Sequence, residues 1–438
     1  MRIPSCAFVL VSFLTVSLVQ AEECSTALWK PYSPRDEIRP EFQIDKQGGL
    51  DGQPGYVIVH DQRDALDGAW KCELPIEGGQ YYQLSVAANL SEVSEPRRGV
   101  YAEVWFTNEK DQVVKYESGD QSRPYYAAAA EPDEAGWTRF TGTFPAPKSA
   151  TKGVVKLQLR WSPESRVVWS DVSLQKADPP KARKVRLAAI NYRPRNSKSS
   201  LESLAQCEPH LAEASDQKAD LAVLGEVLTA VGRPDSFEEV AEPIPGPTTN
   251  RLGELAAKYD MYLVTSIYEK SEYKIFNTAV LVGPDGKLVG KYRKVCLARD
   301  EYRKGVAPGD SFPVFDTPLG KIGMMICFDV HMPEVARGLA ANGAEIIAMP
   351  IMGGDPNLAK ARCIENQVYL VTASYSINDD WMQSGVWDLS GTLRTRATAE
   401  DTVVIAEVDL AQPYLWRANM GQFRPRLRHE RPGNILPP

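Results

Sequence analysis

Gly320-Lys321-Ile322-Gly323-Met324-Met325-Ile326-Cys327-Phe328-Asp329-Val330-His331-Met332-Pro333-Glu334 is the stretch whose reading decides the fold class of the C-terminal half. Ile322 to Ile326 is apolar at successive positions, the pattern of a strand buried on both faces. Pro333 suits the first turn of a helix, where its missing N–H leaves no bond unmade. A buried strand that feeds a helix through a tight elbow belongs to an α/β unit. The elbow would present Cys327 near helix N-terminal dipoles, which favour a thiolate. A cysteine on a buried strand is by itself more often an inert core residue, so Cys327 gains weight only from its surroundings.

Outward from this elbow the same alternation of strand and helix continues. Val185 to Tyr192 reads as a strand, and Leu201 to Lys218 has helical spacing that Pro209 should break or kink. Ala219 to Leu224 is a buried strand ending at Gly225-Glu226, followed by a helix from Asn250 to Tyr259 and a strand from Met261 to Tyr268. Thr278 to Val282 and Lys287 to Tyr292 flank Gly283-Pro284-Asp285-Gly286, a hairpin signal. Helices are expected at Pro333 to Asn342 and Lys360 to Gln367, with strands at Glu345 to Met349 and Val368 to Ala373. The expected class is a layered α/β unit over residues 185–438 that mixes hairpins with crossovers. The first strand is not followed by a Gly-rich turn, which argues against a dinucleotide-binding fold.

Upstream the periodicity differs. Residues 25–176 carry short alternating runs, among them Tyr56 to Val59, Tyr81 to Val86, Val100 to Phe106, Val154 to Leu159 and Val167 to Leu174. Turn chemistry separates them, which predicts an all-β sandwich. Gly79-Gln80-Tyr81-Tyr82, Trp137, Phe144-Pro145-Ala146-Pro147 and Trp169-Ser170-Asp171-Val172 look like a jelly-roll carbohydrate-binding module, with a glycan as candidate ligand. Aromatic residues in such a domain are more often core than sugar platform. Residues 177–184, with two prolines and four charges, read as the linker. Residues 1–21 begin with Met1-Arg2 and run apolar from Ala7 to Val19, which predicts a secretory signal peptide cut after Ala21 and a secreted or periplasmic protein. No later segment reaches transmembrane length.

The 438 residues carry a formal charge of -7 with acids and bases interspersed, which speaks against a nucleic-acid partner. The seven cysteines match no metal-ligand spacing and are too few for a disulfide scaffold, although Cys24 and Cys72 form a candidate bridge. Chemistry is signalled by charges stranded beside apolar strands. Glu226 follows Leu221 to Leu224 directly, where a carboxylate is costly unless paired or used as a base. Lys294 closes the strand Lys287 to Tyr292, among neighbouring charges that read as ordinary surface.

Taken together, Leu224-Gly225-Glu226, Lys291-Tyr292-Arg293-Lys294-Val295-Cys296-Leu297 and Ile326-Cys327-Phe328-Asp329-Val330-His331-Met332-Pro333-Glu334 resemble the nitrilase superfamily of carbon–nitrogen hydrolases over about residues 185–430. Ile244-Pro245-Gly246-Pro247, Phe276-Asn277-Thr278-Ala279 and Ile364-Glu365-Asn366 support it. The resemblance implies an αββα sandwich that pairs into a homodimer or larger homo-oligomer. It also implies a Glu226-Lys294-Cys327 triad with Glu301 as a second carboxylate. In such a site Cys327 attacks the carbonyl or nitrile carbon, Glu226 moves the protons, and Lys294 with the N–H of Phe328 holds the oxyanion. That chemistry requires no metal or organic cofactor. His331, at the loop-to-helix junction, is a candidate pocket residue. Two departures stand out: Gly225 where the family commonly has proline, and Cys296 where it commonly has histidine. Asp329 and Pro333-Glu334 point to the amidase branches, hence to a small-molecule amide or carbamoyl substrate over a nitrile. The alternatives are a catalytically silent extracellular glycan-binding protein, and acyl transfer to an acceptor other than water.

Overall fold

The structure, a computed structural model, describes residues 28–94, 96–119 and 121–411. The expected leader, Cys24 with its candidate bridge, and the segment beyond residue 411 lie outside them. The principal division of the chain falls between Asp178 and Pro179.

The first unit holds two antiparallel sheets. One includes, in order, Lys30–Tyr32, Asp67–Pro75, Lys152–Arg160 and Val100–Thr107. The other runs Glu41–Asp45, Gly55–Val59, Arg166–Ala177, Tyr81–Glu92, Trp137–Pro145 and Ala128–Ala129. Their inner faces meet through aromatic edges. Trp70 of the first sheet lies 5.7 Å from Tyr56 of the second in a T-shaped contact, and its indole N–H donates to the Val57 carbonyl at 3.1 Å. Trp169 and Phe144 are buried. These two aromatics fill the core.

The second unit opens with β1 (Lys184–Asn191), α1 (Ser200–Asp216), β2 (Leu221–Val223), α2 (Pro247–Tyr259) and β3 (Tyr262–Ser271), which leads through hairpins into β4 (Lys274–Val282) and β5 (Leu288–Arg293). Next come α3 (Arg299–Arg303), β6 (Val314–Thr317) and β7 (Gly320–Met324), then α4 (Pro333–Ala341), β8 (Ile346–Pro350) and α5 (Pro356–Asn366). The described chain closes with β9 (Tyr369–Ala373), β10 (Gly385–Trp387), β11 (Leu393–Arg396) and β12 (Thr402–Asp409). Two six-stranded sheets result, ordered β12-β1-β2-β3-β4-β5 and β6-β7-β8-β9-β10-β11. Each has three parallel strands joined by two crossover helices, with an antiparallel strand on one side and two antiparallel strands on the other. The second half of the unit thus repeats the plan of the first.

Period-two alternation assigns the layers. Val185, Leu187 and Ala189 of β1 point into the core shared with Ile322, Met324, Ile346 and Ala348 of the other sheet. Ala188 and Ile190, one step out of phase, pack with Leu204, Cys207 and Leu211 of α1 and with Leu252 and Leu255 of α2. Helices α4 and α5 cover the far face of the second sheet through Val335, Leu339, Ala359 and Cys363. The order is helix, sheet, sheet, helix. One local expectation is corrected: α1 runs unbroken through Pro209. Its ring lies on the exposed side while Cys207 and Leu211 stay buried, so tertiary packing holds the helix across the missing N–H bond.

Candidate active site

Reactive side chains gather where the parallel strands of both sheets end, the usual place for ligands on open α/β sheets. Glu226 follows β2 by three residues and is 3% exposed. The chain reverses there through Val227, whose φ of 43° is strained for a β-branched residue. Three bonds fix the turn: Val227 N–H to Ser266 Oγ at 2.8 Å, Thr265 Oγ1 to the Gly225 carbonyl at 2.9 Å, and the Tyr375 hydroxyl to the Glu226 carbonyl at 2.7 Å. A Cβ on Gly225 would fall inside the Tyr375 ring. The departure from proline at this position therefore makes room for that tyrosine.

Lys294, 1% exposed, is placed as β5 ends, its N–H bonded to the Asn277 carbonyl at 2.8 Å. Its Nζ donates to Glu226 Oε1 at 2.9 Å and to Glu301 Oε2 at 2.6 Å. Burial alone would favour neutral lysine, but the carboxylates of Glu226 and Glu301 outweigh it and hold the ammonium well above its ordinary range. Glu301, on α3, also accepts the Ala298 N–H at 2.9 Å. Asn277 of β4 closes the ring. Its Nδ2 donates to Glu226 Oε1 at 2.9 Å and Glu301 Oε1 at 2.7 Å. Sequence reasoning assigned Asn277 no role. Its signal was a carboxamide in a strand, Ile275 to Val282, that is apolar but for Asn277 and Thr278.

Across from this ring, Cys327 opens a one-turn 3-10 helix, Cys327–His331, with φ of 45°. Its Sγ lies 3.8 Å from the Gly353 carbonyl. The adjacent Met352 N–H donates to Glu226 Oε2 at 3.0 Å, so the base is tied to both sheets. Burial first, then the Glu226 charge, pushes the Cys327 thiol well above its usual range, while Lys294 opposes them. The expectation that the elbow favours a thiolate is thereby corrected. Helix α4 begins only at Pro333, too far along the chain for its dipole to outweigh desolvation. The resting group is a thiol that needs a base.

Asp329 sets the elbow. Its Oδ2 accepts the Ile326 N–H and the Tyr292 hydroxyl, and its Oδ1 accepts the Cys296 N–H, each at 2.8 Å. Burial pushes its carboxyl up to about 6 and the neighbouring Cys296 thiol up to about 11. Phe328 follows the nucleophile in the same turn, and its ring stacks on His331 at 4.7 Å. His331 is half-buried, and its Nδ1 has no hydrogen-bond partner among the described residues. Among those residues no group of three or more His, Cys, Asp or Glu is spaced to hold a metal ion. The structure therefore brings Glu226, Lys294, Glu301 and Cys327 to one crevice and adds Asn277, Asp329 and the Met352 N–H.

Comparison with known proteins gives the same region. The carbon–nitrogen hydrolase family matches residues 186–418. The omega-amidase NIT2 of Mus musculus is 34% identical over 246 residues, covering 51% of this chain and 88% of its own. That of Homo sapiens is 32% identical over 260 residues, covering 55% and 94%. Among solved structures, Saccharomyces cerevisiae Nit3, of branch 10 of the nitrilase superfamily, is 27% identical with a TM-score of 0.47, covering 53% of this chain and 93% of its own. With more than half its length matched, this chain belongs to the carbon–nitrogen hydrolase family of the nitrilase superfamily.

Proposed function

We propose that the second unit is an amidase that hydrolyses a non-peptide amide or carbamoyl bond through a thioester on Cys327. The observation that carries this reading is a carboxylate, Glu226, held between an ammonium and a backbone N–H beside a thiol that burial keeps protonated. Glu226 takes the thiol proton as Sγ attacks the carbonyl carbon. The oxyanion is stabilised by Lys294 and the N–H of Phe328. Collapse breaks the carbon–nitrogen bond, and Glu226 returns its proton to the departing amine. Water, deprotonated by Glu226, then releases the acid from the thioester. Glu301 and Asn277 keep Lys294 and Glu226 in place throughout. Relatives named omega-amidases support an amide over a nitrile.

The test is ammonia or amine release from a panel of aliphatic amides, N-carbamoyl amino acids and nitriles, for the wild type and Cys327→Ala. Turnover of an amide or carbamoyl compound that the variant loses is expected; turnover that survives in the variant overturns the thioester route. Residues 1–21 support export of this enzyme, checked by whether the secreted protein starts at Glu22. The two-sheet first unit supports a carbohydrate-binding role, and the family resemblance supports a homo-oligomer. Both are read by polysaccharide retention and by light scattering.

A further inference from the structure

The loop Ser374 to Ser384, between β9 and β10, holds the Glu226 turn through Tyr375. Its far end takes no part in the mechanism above yet is fastened against the reactive crevice. Its Met382 N–H donates to the Gly354 carbonyl at 2.6 Å, Ser384 Oγ bonds the Ser374 carbonyl at 2.8 Å, and Gln383 Nε2 bonds Asp379 Oδ1 at 2.8 Å. These bonds hold Trp381 at one place. A Cβ on Gly353 would collide with the Trp381 indole nitrogen, so the ring packs against Gly353 in space that a side chain would need. Gly353 is the residue whose carbonyl faces Cys327 Sγ, and its neighbour Met352 donates to Glu226. The indole is thus one backbone unit from both nucleophile and base, yet it is 48% exposed. Met352, at 41%, and Met332, five residues past Cys327, at 38%, are also open. Leaving large apolar groups in water forgoes burial that a bound apolar group would restore.

We infer that Trp381 is a specificity-determining residue, an apolar wall that selects amides bearing a flat apolar substituent, such as an aryl or benzyl group, over short aliphatic amides. This deepens the amidase reading and rests on it for the identity of the reacting bond. The recognition is stacking and desolvation: the ring of the substrate covers the indole face and the thioether of Met352 while the carbonyl reaches Cys327. Gly353 is required because a side chain there would displace the indole from the crevice.

Binding to the full chain carrying Cys327→Ala, measured by calorimetry, tests this without turnover. The probes are phenylacetamide and N-benzylacetamide, with acetamide as reference. Trp381→Ala is expected to weaken at least one benzyl probe by about tenfold or more, the scale of an apolar pocket contact, while acetamide binding changes less than about twofold. The responding probe tells whether the ring sits on the acyl or the amine side. Trp381→Phe should keep most of the preference and Trp381→Leu lose it; the leucine variant decides the matter if the alanine protein fails to fold. Equal losses for benzyl probes and acetamide, or no loss for either, overturn the inference. Wild type that prefers the benzyl probes through Trp381 but hydrolyses no amide would sink the amidase reading and leave this one standing. Turnover of amides without any Trp381 preference would do the reverse.

Discussion

Glu226 accepts from Asn277, Lys294 and Met352 at once, which leaves about one of its four acceptor directions for a thiol proton. Two opposite effects on Cys327 follow from Glu226→Gln. Amide turnover should fall about 10²- to 10⁴-fold, because the base is gone. Alkylation of Cys327 by iodoacetamide should become faster, because the negative charge that raises the thiol is gone too. In the wild type, that alkylation should climb steadily up to about pH 9 without levelling, since each unit below a raised thiol pKa yields about tenfold more thiolate. An early plateau would contradict it. Asn277→Ala removes two bonds to buried carboxylates, and urea unfolding should show a loss on the order of 3 kcal/mol. Its kcat should fall more than its KM rises, since Asn277 holds the base and touches no substrate in the proposed mechanism. The charged members of this ring were legible because a charge at the end of an apolar strand has no cheap structural explanation. Asn277 was not, because a neutral carboxamide in a strand reads as the polar side of an alternation until β4 is seen to be buried on both faces.

At the scale of elements, the two elbows after β2 and β7 do the positioning. The carboxyl of Asp329 titrates at about 6 in the fold against an ordinary 3.8, so across that window the folded chain holds a proton the unfolded chain has released. The stability this group allows is greatest below the unfolded value, falls as pH rises to about 6 and is flat above. Asp329→Asn should abolish that slope, seen as a difference in unfolding free energy from wild type that changes only between about pH 4 and 6; an unchanged slope in the variant refutes it. At the other elbow, Gly225→Ala should cost about 1–3 kcal/mol through collision with the Tyr375 ring. Adding Tyr375→Ala should return part of that stability. Buried parallel strands and the helix led by Pro333 were readable because their periodicity is strong, whereas the helices that begin at Pro247 and Pro356 were read as starting only at Asn250 and Lys360. The short flanking strands Val314–Thr317, Gly385–Trp387 and Leu393–Arg396 were not. Each is three or four residues long and lies outside the parallel centre of its sheet, too short for a period to show. Pro209 misled for the converse reason: a local rule gave way to packing around α1.

On the scale of the molecule, the principal division of the chain lies between Asp178 and Pro179. Residues 178–182 are all exposed, whereas Arg183 is already bonded to Asp409 and Glu345. Among residues 28–411, brief trypsin treatment should therefore cut at Lys181 first, and amide turnover should remain with the larger fragment; cleavage first within the strands would contradict this. What no local period could reveal is how the sheets are matched. Glu226, Asn277, Lys294 and Glu301 are carried by the sheet of β1 to β5 and the turns that leave it, and Cys327, Met352 and Gly353 by the sheet of β7 to β9. The chemistry spans a seam: one sheet carries the base, which the Met352 N–H ties across to the other, and that other sheet carries the sulfur. Such a seam behaves like a vernier: a slip too small to disturb either scale still misaligns the marks. Alterations in the packed layer between the sheets, at Leu187 or Ile346, would then silence the enzyme by shifting alignment alone, with every reactive group intact and every fold signal unchanged.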